Sequence, residues 1–489
     1  MSLTAIDNEP SVRAGHSVSN VPAAEQTAVS LTLSRFVSTL TADMLPPEVV
    51  AGAKRHLLDA VGTGLIGSRQ EMPRRALAAI ETVPGSAGGT SVWGRAATLA
   101  APYAAMINGI AAHALDFDDT HTDSITHGSA VLGPTVLALG EEFDAAGQDV
   151  ILAFAAGWEI IARVGLAARG SFHKRGFHTT SVAGIFGAVA AAGKLLGLSE
   201  AQLSHAFGLA GSQVAGVSEY LSNGSSSKIF HPGWAAHSGI IAAYMARAGM
   251  TGPMTVFEGR YGLLRTYGIS DESDFGRLTA GLGAHWEITR ISVKPYPCCH
   301  FAHAFIDCAR ALRRQGVRAE EVEQLQCIVP EIELPLICEP WDTKLRPDSA
   351  YAAKFSLPFL VAAGLIDDAV DHDTFAAKNL TRRDLLELAS RVTYRTAAAG
   401  ELPFPKYFPG WIQGTLRGGR RIEQRLEINY GNPDNPMSRA DIETKFCSNA
   451  AGVLPQESVA GVLSTIAAFE SSTARDLTRF LASRNQESS

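Results

Sequence analysis

The stretch Ala112-His113-Ala114-Leu115-Asp116-Phe117-Asp118-Asp119-Thr120-His121, followed by Thr126-His127-Gly128-Ser129-Ala130, concentrates four carboxylates and two imidazoles between Asp116 and His127. Carboxylates set among apolar residues must be paired, protonated or bound to a cation. Such a cluster is therefore expected to be a functional site, and not merely a solvated helix end. Two further polar islands each open a helix: residues 171–180, with His178, and residues 222–233, with Lys228 and His231. The unpaired N–H groups and partial positive charge of a helix start suit a carboxylate. A third island, Val293-Lys294-Pro295-Tyr296-Pro297-Cys298-Cys299-His300-Phe301-Ala302-His303, is expected where a strand runs into a helix, its prolines fixing the backbone.

Together, Asp116, Thr120, His127, His178, Lys228 and Lys294 are the residue types that a small polyanionic acid needs. His231, Cys299, His300 and His303 are further candidates for contact with it. Lysines neutralise carboxylates, and imidazoles move protons near neutral pH. Asp116 is expected to orient His127, or to act as a base if burial raises its pKa. No GxGxxG follows a strand, and there is no Walker loop, GxSxG elbow or HExxH.

These islands must be held by something rigid. Residues 97–115, 129–145, 150–169, 180–196 and 200–215 are rich in Ala, Gly and Leu and read as buried helices, with Gly157 and Gly165 permitting close approach. Val50, Ala53, Leu57, Val61 and Leu65 recur at helical spacing behind Pro47 and Glu48, and Gly67-Ser68 should end that helix. From about residue 284 the pattern changes to short alternating runs at 286–293, 325–329, 391–396, 414–416 and 421–428, with Gly418-Gly419 as a hairpin turn. Helices are expected at 302–315 and 349–365, and residues 437–485 return to helix behind Ser438 as N-cap. The expected fold class is mainly α with an α+β insertion: a disordered leader at 1–28, a helical domain at 29–283, an α+β lid at 284–429, and a return to the helical domain at 430–489. A ligand would sit in the cleft between them.

The 489 residues are 46% hydrophobic and 19% charged, an ordinary globular balance. A net charge of -7 supplies no basic field for nucleic acid or an anionic membrane. No run is expected to span a membrane. The start lacks a secretory pattern, and six sparse cysteines without CxxC pairs suit a reducing, cytoplasmic setting.

The run His113 to Thr120, Thr126-His127-x-Ser129-Ala130, Phe177-His178, Lys228, Lys294-x-Tyr296-x-Cys298-Cys299 and Lys354-Phe355-Ser356-Leu357-Pro358 together resemble the MmgE/PrpD family. That family includes 2-methylcitrate dehydratase, cis-aconitate decarboxylase and iminodisuccinate epimerase. The resemblance spans residues 30 to 480 and implies a homodimer of two-domain subunits acting on di- or tricarboxylates without metal or organic cofactor. It places the site on Asp116, Thr120, His127, His178, Lys228 and Lys294. Differences from the decarboxylase pattern are also visible. His127-Gly128-Ser129 stands where that pattern reads His-Pro-Ser, the loop from Thr120 to His127 is one residue longer, Cys299 takes the place of a lid histidine, and Pro358 that of a tyrosine. The Trp-Gly-His-Pro-Ser-Asp-Asn loop of the propionate-pathway dehydratase is missing.

The leading expectation is a lyase that removes a proton beside a carboxylate, with an epimerase as the alternative within the family. A Mg2+-dependent diphosphate lyase would read residues 118–123 as an aspartate cluster, but the spacing is one residue too long for DDxxD. A non-catalytic helical scaffold is the remaining alternative.

Overall fold

The computed structural model describes residues 28–482, so all of the expected leader except Ala28 lies outside the described residues. The architecture is mainly helical with a smaller α+β part, as the hydrophobic patterning implies. Pro47 enters the first turn of the Pro47–Ser68 helix, whose Val49, Ala53, Leu57, Val61 and Leu65 are buried. The helices Ala101–His113, Ser129–Phe143 and Gly147–Ala168 pack against it, and Thr179–Leu195, Glu200–Gly211 and Ser227–Arg247 extend the bundle behind them.

Small residues let these helices approach closely. A Cβ on Gly157 would lie 3.1 Å from the Gly187 carbonyl oxygen, and one on Gly187 would lie 3.0 Å from that of Gly157. Gly165 differs from the expectation of helix contact, because it makes room for the Ser124 carbonyl of the acidic loop. The Gly147–Ala168 helix also corrects the expectation that no segment has spanning character: it is long and apolar enough to cross a bilayer. Its apolar window is nevertheless wholly buried inside the protein. Its Glu159 and Arg163 pair at 3.2 Å, and Arg163 also donates to the carbonyls of Ala280 and His285.

A second core, from Tyr296 to Leu416, surrounds a four-stranded sheet. The chain first makes a small pair, β1 (Ala87–Ser91) and β2 (Thr98–Leu99). The larger sheet follows, with β3 (Val322–Val329), β4 (Val392–Thr396), β5 (Gly410–Leu416) and β6 (Arg421–Leu426). Its order is β4-β3-β5-β6; β4 runs parallel to β3, and the β3–β5 and β5–β6 pairs are antiparallel. Gly418 and Gly419 turn the last hairpin at φ 94° and 84°, a region that side chains disfavour. The helices His303–Arg314 and Leu357–Asp367 pack against this sheet.

Two expected elements are different in the structure. Residues 286–293 form no strand: Glu287–Arg290 is a 3-10 turn, and only Ser292 pairs, with Thr120. The single helix expected over 349–365 is split into Ala350–Ala353 and Leu357–Asp367. Ser356 caps the second piece by accepting from the Phe359 N–H, and Pro358 occupies its first turn. Further on, Ser438 caps the Arg439–Ala450 helix reciprocally with Asp441. Ile442 and Phe446 of that helix join the larger core.

Candidate active site

The Ala101–His113 helix delivers the chain into a tight turn at Asp116, whose φ of 56° is left-handed. Three consecutive carbonyls of this turn each accept from a different lysine. Lys354 Nζ reaches Leu115 O at 2.8 Å, Lys294 Nζ reaches Asp116 O at 2.9 Å, and Lys445 Nζ reaches Phe117 O at 3.0 Å. The Asp116 carboxylate takes two ammoniums: Lys228 at 2.9 Å from Oδ1 and Lys294 at 3.3 Å from Oδ2. Burial alone would raise its pKa, but Lys228, Lys294 and His127 outweigh that effect and hold the carboxyl well below its usual range. Asp116 is therefore ionised, which is opposite to the raised pKa that a base role requires. The same pairing holds the Lys228 ammonium above its ordinary pKa despite burial.

The other acids of the cluster are also occupied. Asp118 accepts from His113 Nδ1 at 2.7 Å, and although burial opposes it, this imidazole brings the carboxyl down to about 2. Asp119 accepts from Ser129 Oγ at 2.6 Å and lies 3.0 Å from His56 Nδ1. Asp123 pairs with Arg290 at 2.5 Å on the surface. These contacts account for how the acidic run survives burial. Among the described residues no three His, Cys, Asp or Glu side chains gather as a metal site, so the Mg2+ alternative gains no support from this run.

Backbone pairing carries the chain from this turn to the imidazoles. Thr120 and Ser292 exchange hydrogen bonds at 2.9 and 2.8 Å, which ties the acidic loop to the segment bearing Lys294. The His127 N–H donates to Thr180 Oγ1 at 3.0 Å, and His127 Nδ1 lies 2.9 Å from the Asp119 carbonyl and 3.2 Å from Thr120 Oγ1. A carbonyl only accepts, so Nδ1 carries the proton and Nε2 is left to accept one. The contact orienting His127 thus comes from Asp119 O and Thr120, while Asp116 serves the lysines. His178 Nδ1 and His231 Nδ1 meet at 3.1 Å, so one of them donates to the other. The ring of His113 lies 5.1 Å from that of His127 and 5.5 Å from that of His178.

Burial, reinforced by neighbouring imidazoles and lysines, keeps His127, His178 and His231 neutral. His127 and His231 are each lowered to about 4, and His178 falls well below its ordinary value. The arrangement therefore presents two ammoniums on one carboxylate beside uncharged imidazoles. An arriving polyanion would find cations to bind and a basic nitrogen to take its proton.

The remaining candidates lie toward the smaller domain. Asn429 donates to His300 Nε2 at 3.0 Å, and His303 Nε2 donates to the Cys298 carbonyl at 3.2 Å. Burial lowers both rings, His303 to about 3. The Cys299 N–H donates to the Lys354 carbonyl, and burial pushes its thiol up to about 12. Neither histidine hydrogen-bonds to Asp116, Lys228 or Lys294. Sequence reasoning singled out Asp116, Thr120, His127, His178, Lys228 and Lys294, and the structure brings these into one neighbourhood. It missed His113, Asp118 and Lys354 as members. A histidine five residues before an aspartate across a helix end was the available signal for the first two.

The MmgE/PrpD N-terminal domain model matches residues 31–275, and the MmgE/PrpD C-terminal domain model matches residues 296–469. The chain is 26% identical over 459 residues to a cis-aconitate decarboxylase of Mus musculus, covering 91% of each chain. It is 28% identical over 432 residues to a cis-aconitate decarboxylase of Homo sapiens, covering 86% of this chain and 88% of that one. A cis-aconitate decarboxylase-like protein of Aspergillus oryzae is 28% identical over 472 residues, with 93% and 96% covered.

Proposed function

The chain belongs to the MmgE/PrpD family, and from that premise we propose that it is a cofactor-independent lyase for a small di- or tricarboxylic acid. The observation that carries this reading is the pair Lys228 and Lys294 on the single carboxylate of Asp116, with the free Nε2 of His127 alongside. The names of the relatives support loss of CO2 as the outcome, and loss of water is the second outcome that the same residues could promote.

In the proposed mechanism the substrate carboxylates meet Lys228 and Lys294, and their negative charge raises the affinity of the nearby imidazoles for protons. For loss of water, His127 Nε2 takes the proton beside a carboxylate. The electron pair delocalises into that carboxylate, which the lysines stabilise as it gains charge. The hydroxyl then leaves as water with a proton from the His178–His231 pair. For loss of CO2, the C–C electron pair remains on the substrate carbon, and an imidazolium protonates it.

Product analysis by proton NMR in D2O tests the reading, with citrate, cis-aconitate, 2-methylcitrate and iminodisuccinate as substrates. A new alkene or a decarboxylated acid is the expected result. Solvent exchange with inversion and no lost fragment would replace the lyase with an epimerase. Four unchanged acids would refute both readings.

The reading includes a homodimer. Its support is the resemblance to the family together with exposed apolar side chains that pairing would cover: Val217 and Leu221 are each 60% exposed and Phe230 is 41% exposed.

A further inference from the structure

Of the lysines that meet the acidic turn, Lys354 comes from the smaller domain, at the break between Ala350–Ala353 and Leu357–Asp367. It is 7% exposed. Its side chain crosses to Leu115 O at 2.8 Å, while its own carbonyl accepts from the Cys299 N–H at 3.0 Å. The ammonium lies 5.6 Å from the Phe375 ring centre, and among the described residues no carboxylate pairs with it. A buried ammonium held by a carbonyl and a ring face, with no carboxylate, costs folding free energy, and the Leu115 carbonyl it caps is next in sequence to the residue that binds Lys228 and Lys294.

We propose that Lys354 is a positioning residue that fastens the smaller domain to the Leu115–Asp116 turn, holding Asp116 and its two lysines in the geometry that receives a carboxylate substrate. This rests on the reading of the site as one for di- or tricarboxylates. The fastening depends on pH. Burial lowers the pKa of Lys354 to about 8; Asp116 and Cys298 act against this shift, while Lys294 and Lys228 add to it. The charge-assisted bond is therefore nearly complete at pH 7 and below, and it weakens as pH rises through about 8.

The test uses the full chain and tricarballylate, a saturated tricarboxylate with no hydroxyl to lose, in calorimetric titrations from pH 6.5 to 9.5. Wild-type Kd should be constant up to about pH 7.5 and then rise. Lys354→Met should weaken binding at pH 7 at least about tenfold, the scale of one charged hydrogen bond, and should flatten the rise. Lys354→Arg, which stays charged, should restore affinity and hold it to pH 9.5. In the free protein, hydrogen exchange at residues 114–120 should be faster in Lys354→Met than in wild type or Lys354→Arg.

Equal affinity in wild type and Lys354→Met overturns the proposal. So does a wild-type Kd that stays flat to pH 9.5, a result that needs no variant to fold. If these shifts occur while no acid is ever turned over, the lyase reading fails and the role of Lys354 stands. If turnover is found but Lys354→Met leaves exchange and affinity unchanged, the role of Lys354 fails and the lyase reading stands.

Discussion

Lys294→Met tests the mechanism where its geometry is most specific. Lys294 is 2% exposed and makes two contacts, to Asp116 O at 2.9 Å and to Asp116 Oδ2 at 3.3 Å. Methionine keeps much of the volume but removes the ammonium. The backbone carbonyl then loses its donor, a cost of about 1 to 3 kcal/mol in stability, while Lys228 still neutralises Asp116. The chemical step loses a cation aimed at the carboxylate that gains charge, and one such donor is worth about 2.7 to 4 kcal/mol, or about 10² to 10³ in kcat. Steady-state absorbance of the unsaturated acid, paired with a thermal melt, separates the two effects. The expected result is a fall of at least about 100-fold in kcat/KM with Tm lowered by only a few degrees. A variant within about threefold of wild-type kcat/KM would refute the assignment of Lys294, because no cation worth that free energy would then have been removed.

Acid should destabilise the protein in a defined window. His127 and His231 have folded pKa values lowered from 6.5 to about 4. The unfolded chain therefore binds protons that the folded one refuses, and stability is lost as pH falls from about 6.5 toward 4. The slope is up to about 1.4 kcal/mol per pH unit for each ring, and urea midpoints at pH 7 and pH 5 measure it. Gly128→Ala should also destabilise and slow turnover, because its Cβ would lie 2.5 Å from the Trp158 ring, directly beside His127. Overpacking of this kind costs about 1 to 3 kcal/mol, and denaturant titration with steady-state rates would show it. Sedimentation should show a dimer that Leu221→Glu weakens, and a monomeric wild type would remove the proposed association.

The long helices were legible in the sequence because small apolar residues recur at helical spacing, and Ser438, Pro47 and the Gly418-Gly419 turn sit where capping and turn chemistry require them. The break at 354–356 was not legible. Its flanks, Ala350–Ala353 and Leu357–Asp367, share one apolar pattern, so periodicity joined them and hid Lys354 inside a supposed helix. The run at 286–293 alternates like a strand, but its register is decided by tertiary partners. Glu159 accepts from the Glu287 N–H at 2.6 Å, and His121 meets the Glu287 side chain at 3.1 Å. The polar islands stood out by composition. The pairing among them did not, because which acid faces which base depends on contacts between islands far apart in the chain, such as Asp116 with Lys228 at 2.9 Å and with Lys294 at 3.3 Å.

A crystal structure with tricarballylate bound tests the proposed site without recourse to any variant. Its carboxylates should lie within hydrogen-bonding distance of the Nζ atoms of both Lys228 and Lys294, with a methylene facing Nε2 of His127. Tricarballylate bound elsewhere, with both lysines still occupied by Asp116 alone, would contradict that placement.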